Sequence, residues 1–142
     1  MTTKSFKFNT KSARPSAPPE PEVTAYHVHI YFEPGKEADA IETAKQLDER
    51  FPGAVEGIHR VGLVGPHAQK NIGMTIDADS FGEIVGWLQM NRKADLSILV
   101  HPRTGDEWRD HIDCPLWLGK PVPFNMDFFK GMEPAKPKGP SL

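Results

Sequence analysis

The run Tyr26-His27-Val28-His29-Ile30-Tyr31-Phe32 decides the fold. It is rich in β-branched and aromatic residues and so reads as a strand. Alternate side chains on a strand share a face. The imidazoles of His27 and His29 therefore stand side by side, with Val28 and Ile30 behind them. Burying one imidazole beside another is costly if either is protonated, so the pair calls for a partner, most commonly a metal ion. Two half-exposed strand histidines without a role would leave the same letters.

Outward from this strand the periodicity switches cleanly. Glu33-Pro34-Gly35 breaks the chain, and Ala38, Ala40, Ile41, Ala44 and Leu47 then recur at helical spacing until Arg50, before Pro52-Gly53. A second strand is expected over about 55–64, ending at Gly65-Pro66. A third, about 70–77, alternates Ile72, Met74 and Ile76 against Asn71, Gly73 and Thr75. Asp79 or Ser80 can cap a helix over 80–91 whose inner face holds Phe81, Ile84, Val85 and Leu88. A fourth strand runs from Leu96 to His101.

The order βαββαβ predicts an α+β, ferredoxin-like antiparallel sheet with strand order 4-1-3-2 and two helices on one face. The helices cover Tyr26, Val28, Ile30 and Phe32 of strand 1, with Leu96, Ile98 and Val100 of strand 4. His27, His29, Tyr31, Gly73, Thr75, Ser97, Leu99 and His101 fall on the opposite face. Because strands 1 and 4 are antiparallel neighbours, His101 is expected beside His27 and His29, near enough to share a ligand. This open face needs the C-terminal segment 114–130, a second subunit, or both to cover it; both are expected, giving a homodimer.

At 142 residues the chain holds one domain with a real core, here residues 23–130. Residues 1–22, with Pro15, Pro18, Pro19 and Pro21, read as a disordered arm, and 131–142 as a flexible tail. A net charge of −2 gives no general basic surface for nucleic acid. No apolar run is long enough to cross a bilayer and no signal-peptide core is evident, so a cytoplasmic protein is expected. Cys114 is the lone cysteine and reads as inert; a thiolate cage is excluded, and any metal must use His, carboxylate or water.

The stretch after strand 4, His101-Pro102-Arg103-Thr104-Gly105-Asp106-Glu107-Trp108-Arg109-Asp110-His111, adds polar chemistry. Arg103 and Arg109 are candidate forks for a substrate carboxylate, and Tyr31 on the open face is a further candidate substrate contact. A solvated loop with ordinary ion pairs would also account for the arginines. His111 is a candidate ligand or acid/base, oriented by Asp110 or Asp113. His67, in the hairpin after Gly65-Pro66, lies at the far end of the sheet from His27; it reaches the site only if its loop folds over the open face or if a second protomer supplies it. His59, on the edge strand, reads as structural.

Taken together, His27-Val-His29-Ile-Tyr-Phe, Val64-Gly65-Pro66-His67, Leu99-Val100-His101-Pro102-Arg-Thr104-Gly105, Asp110-His111 and Trp117-Leu118-Gly119 resemble the DOPA 4,5-dioxygenase family, the small fungal and bacterial group. The resemblance spans roughly residues 24–128. It implies a ferredoxin-like fold and non-haem iron(II) extradiol cleavage of a catechol such as DOPA by O₂. His27, His29 and His101 match the motif histidines and coincide with the triad expected from topology. His67 and His111 match further motif positions, which implies proton transfer, substrate binding or a ligand place. The usual extradiol triad contains one carboxylate, yet none occupies the predicted sheet face; Asp106, Glu107, Asp110 and Asp113 are loop candidates, and three neutral histidines also suit zinc. Two other readings fit the same residues. One is a non-catalytic module of this fold that binds a metal or small ligand. The other is a cofactor-independent, dimeric monooxygenase-like enzyme that uses the histidines as bases.

Overall fold

The computed structural model describes residues 21–134. Apart from 21–22 and 131–134, the arm and tail expected at the two ends lie outside the described residues. Strand β1 (Ala25–Tyr31) is followed by helix α1 (Glu37–Arg50), strands β2 (Val55–Val61) and β3 (Asn71–Asp77), helix α2 (Phe81–Asn91) and strand β4 (Ser97–Pro102). A further short strand, β5 (Leu116–Leu118), comes after them.

All pairings are antiparallel and the sheet order is β2-β3-β1-β4-β5. The sheet therefore differs from the four-strand expectation by β5, added outside β4. Periodicity could not show this strand, because three residues are too few to establish an alternation. The fold is α+β, with a five-stranded antiparallel sheet and two helices.

Val28, Ile30 and Phe32 pack with Ile72, Met74, Ile76, Ile98 and Val100 against Ala40, Ala44 and Leu47 of α1 and Ile84, Val85 and Leu88 of α2. On α1 the buried stripe is Ala40, Thr43, Ala44 and Leu47, whereas Ala38, in the first turn, stays exposed. Helix α2 begins one residue later than expected, after a short 3₁₀ turn at Ala78–Ser80. Neither proposed cap acts by its side chain: Asp77 accepts from the Asp79 N–H at 3.2 Å, ahead of the helix.

The opposite face is the one that carries the histidines. His27 stands opposite His101 and Thr75, His29 opposite Leu99 and Gly73, and Tyr31 opposite Ser97 and Asn71. One chain covers much of this face itself. Leu99 and Tyr31 are fully buried, and Phe129 of the C-terminal segment is 0% exposed. Trp117 approaches Tyr31 at 5.8 Å between ring centroids, and Phe124 approaches Trp117 at the same distance. Phe124 also forms a β-bridge to His67, and the Asn125 N–H donates to the Pro66 carbonyl at 2.9 Å. The aromatic C-terminal segment thus pins the β2–β3 loop down across the sheet. Among the described residues, no helix is long and apolar enough to cross a membrane.

Candidate metal centre

One cleft of about 340 Å³ opens on this face, and all six histidines of the chain line it. That volume suits one small aromatic molecule. At its floor, His27, His29 and His101 each offer a ring nitrogen, and these atoms all lie within 4.8 Å of one another. The cause is the ladder: β1 supplies two imidazoles at alternate positions, and antiparallel β4 places His101 directly across from His27.

Backbone and amide groups decide which nitrogen is free. A carbonyl only accepts, so the contact of His101 Nδ1 with the Pro102 carbonyl at 2.8 Å puts the proton on Nδ1 and leaves Nε2 bare. This Nε2 is buried and has no hydrogen-bond partner. On His29, Nδ1 meets Asn71 Oδ1 at 2.9 Å, while Asn71 Nδ2 donates to the Gln69 carbonyl at 3.2 Å. The second bond fixes the amide's orientation, so His29 Nδ1–H donates and its Nε2 is also bare. Outer partners of this kind orient histidine ligands in metal sites.

Burial holds these rings neutral. Desolvation, assisted by the neighbouring His111, depresses the His101 pKa to about 3, and desolvation with His67 beside it pushes His29 well below the ordinary value. His27, half-buried, is lowered by desolvation and by Arg103. Neutral imidazoles with bare nitrogens are the form that binds a metal ion, and a buried lone pair without a hydrogen-bond partner is a donor suited to one. The residues present therefore fit a metal.

Asn71 carries a test of this arrangement. Replacing it with Ala removes the acceptor that orients His29 and should weaken metal binding about 10–100-fold, measured by competition with a chromophoric chelator. The metal-free protein should also lose about 1–3 kcal/mol, because the His29 N–H is left unpaired. An unchanged affinity would show that Asn71 does not set the ligand's tautomer.

His67 joins the site from its own chain. Its loop folds over the face instead of standing at the end of the sheet, and its ring lies 4.5 Å from that of His29. The Tyr31 hydroxyl meets His67 Nδ1 at 2.7 Å. Burial raises the Tyr31 pKa, so its hydroxyl keeps its proton, while desolvation holds His67 at about 4. Tyr31 was expected to touch substrate, but the C-terminal aromatics seal it off and it serves His67.

His111 reaches the cleft on a π-helical turn, Arg109–Asp113, closed by the Cys114 N–H on the Arg109 carbonyl at 2.9 Å. Such turns are frequent at functional sites. Its ring lies 4.0 Å from that of His101. The expected orienters, Asp110 and Asp113, do not act on it: His111 Nδ1 donates to the Glu107 carbonyl at 2.9 Å, again leaving Nε2 bare. Asp110 is buried and accepts from the Thr104 N–H and hydroxyl at 2.9 and 2.6 Å, stapling the loop that carries Arg103 and Glu107. Arg103 lines the cleft. Arg109 does not; it is half-exposed and its Nε lies 3.8 Å from Asp106. Glu107 also lines the cleft, yet among the described residues the group able to close on one ion is three imidazoles without a carboxylate. The exposed Cys114 takes no part in lining the cleft.

The sequence profile of the Dopa 4,5-dioxygenase family matches residues 26–128, the span that holds every one of these histidines. The chain belongs to the DOPA 4,5-dioxygenase family. Within it, a DOPA 4,5-dioxygenase of Amanita muscaria is 33% identical over 113 residues, covering 74% of this chain and 49% of that protein. An uncharacterised 21.2 kDa protein of Botryotinia fuckeliana is 32% identical over 125 residues, covering 79% of this chain and 67% of that one. This family member thus spans about half the length of the Amanita relative. A crystal structure of a candidate dioxygenase from Nostoc punctiforme superposes with a TM-score of 0.70 at 31% identity, covering 78% of this chain and 95% of that one.

Proposed function

We propose that this chain is a non-haem iron(II) dioxygenase that opens the ring of a catechol such as DOPA by extradiol cleavage. The observation that carries the reading is the bare, buried Nε2 of His101, on a ring that brings a nitrogen within 4.8 Å of ring nitrogens of His27 and His29. Family membership and the Amanita relative supply the reaction class. The ferredoxin-like description of the fold belongs to the same reading, with β5 as an addition to it.

Iron(II) held by these three residues supplies the redox chemistry that joins a catechol to O₂, both oxygen atoms entering the product without an external reductant. The chain's own residues manage the protons. His111, with Nδ1–H fixed on the Glu107 carbonyl, presents Nε2 as the base that takes a proton from the catechol. Across the cleft, the Tyr31 hydroxyl holds His67 through Nδ1 at 2.7 Å, so His67 faces the substrate with Nε2 and is the second proton-transfer group of the pair. Arg103 offers a guanidinium to a carboxylate on the substrate. The aromatic segment over Tyr31 and Leu99 keeps water from that side of the site.

Protein reconstituted with iron(II) under anaerobic conditions and then mixed with DOPA and O₂ should consume oxygen and form a yellow ring-opened product. Absence of oxygen uptake across a panel of catechols sinks the proposal. The all-imidazole set also suits zinc. Native protein that carries zinc and takes up no oxygen would support a binding module in its place.

A further inference from the structure

His59 enters the cleft through an irregularity in the edge strand. Glu56 pairs with Thr75 and His59 with Gly73, so β2 holds one residue more than β3 between these two pairs. The extra residue is a β-bulge, and Gly57 at φ 65° supplies the left-handed backbone it uses. In a regular ladder Ile58 would stand opposite Gly73. Cross-strand partners point to the same side, and Gly73 lies on the histidine face, opposite His29. The bulge therefore exchanges Ile58 for His59 on the cleft wall, and Ile58 is left 40% exposed.

Gly73 provides the room. A Cβ at this position would lie 2.9 Å from Cγ2 of Val61, 3.2 Å from Cε1 of His59 and 3.4 Å from Nδ1 of His29. The ring is also fixed in tautomer. His59 Nδ1 donates to the Gly57 carbonyl at 2.6 Å, so the bulge that aims the ring also leaves Nε2 as a free acceptor. An edge-strand histidine kept only for structure needs neither the bulge nor a side-chain-free neighbour.

We infer that His59 is a substrate-binding residue, whose Nε2 accepts a hydrogen bond from an ammonium or hydroxyl group on the ring substituent. This inference rests on the reading of the cleft as a catechol site. Position separates this role from those of the other histidines. Strand β2 lies beyond β3 from β1, and His59 stands on the other side of Gly73 from His29, so a catechol whose diol lies at the triad meets His59 with the part of the molecule turned away from the ligands.

Zinc-loaded protein, which holds the site without turnover, can be titrated calorimetrically in the absence of oxygen with DOPA and with unsubstituted catechol. His59→Leu should weaken DOPA binding about tenfold, the worth of one hydrogen bond to a charged donor, and leave catechol within about twofold. His59→Gln, which restores an acceptor, should keep DOPA within about threefold of the wild type. The inference is overturned if His59→Leu binds DOPA as the wild type does, or loses both ligands equally. Wild-type protein that binds neither ligand overturns the catechol reading itself, a different result from wild-type binding that the substitution leaves untouched.

Discussion

A His101→Leu variant is expected to lose its metal ion and its turnover while folding at least as stably as the metal-free wild type. In most cores, replacing a buried side chain that makes a good hydrogen bond is destabilising. His101 is unusual because one of its two ring nitrogens is buried with no partner, at a cost of about 1–3 kcal/mol in the metal-free state. Leucine removes that cost. It also gives up the Nδ1–H bond to the Pro102 carbonyl, worth about 1 kcal/mol, but Pro102 is only half-buried and water can replace the donor. Loss of a histidine's outer partner alone weakens metal binding about 10–100-fold, so loss of the ligand itself should exceed 100-fold. Metal content after dialysis and the melting temperature with and without chelator measure the two halves. Wild-type metal stoichiometry in the variant would exclude His101 as a ligand. A large fall in the melting temperature of the metal-free variant would make His101 a structural residue.

The contrast between ligand and scaffold also explains what could be read from sequence. The triad was legible because it depends only on alternation within β1 and on the antiparallel neighbourhood of β1 and β4; both follow from the order of elements, and the register sets His27 opposite His101. His67 was harder to place because its position is set by the β-bridge to Phe124 and the Asn125–Pro66 bond, contacts between segments far apart in sequence with no periodic signature. His59 was read as structural because it falls on the edge strand; the available signal for its place in the cleft wall was Gly57 inside a strand pattern, a mark of a bulge. The orienters of His111 were sought at Asp110 and Asp113, whereas the structure uses Glu107: its carbonyl accepts from Nδ1–H at 2.9 Å, and its carboxylate lies 3.5 Å from the same nitrogen. Arg109 looked equivalent to Arg103 by letter. The turn that brings His111 inward leaves Arg109 outside, beside Asp106.

Acid should unfold the metal-free protein well before it unfolds a protein of similar size without this cluster. In the folded chain the pKa of His101 is held at about 3 and that of His67 at about 4, while His29 lies well below and His27 below their ordinary value of 6.5. Desolvation is the leading cause for each. Below pH 6.5 the unfolded chain takes up protons that the folded one refuses. The stability contributed by these groups is therefore complete above 6.5, falls as the pH falls, and stops falling only beneath the folded values. Each of the buried histidines, His29, His67 and His101, adds about 1.4 kcal/mol per pH unit to the slope, and the half-exposed His27 less, so the group together removes several kcal/mol between pH 6.5 and about 4. That is comparable with the total stability of about 5–15 kcal/mol of an ordinary domain. Because the rings repel one another once charged, the protons should enter with unfolding and not one by one. Chemical denaturation at a series of pH values measures the slope, and His101→Leu should reduce it by one proton's worth. The same neutral rings imply that metal binding at pH 7 displaces no proton, so the heat of binding should not depend on the buffer's ionisation enthalpy. If the metal-free wild type and His101→Leu lose stability equally between pH 7 and 5, the buried His101 imidazole is not neutral for the reason given, and the bare Nε2 at the floor of the cleft loses its role as the metal's nitrogen.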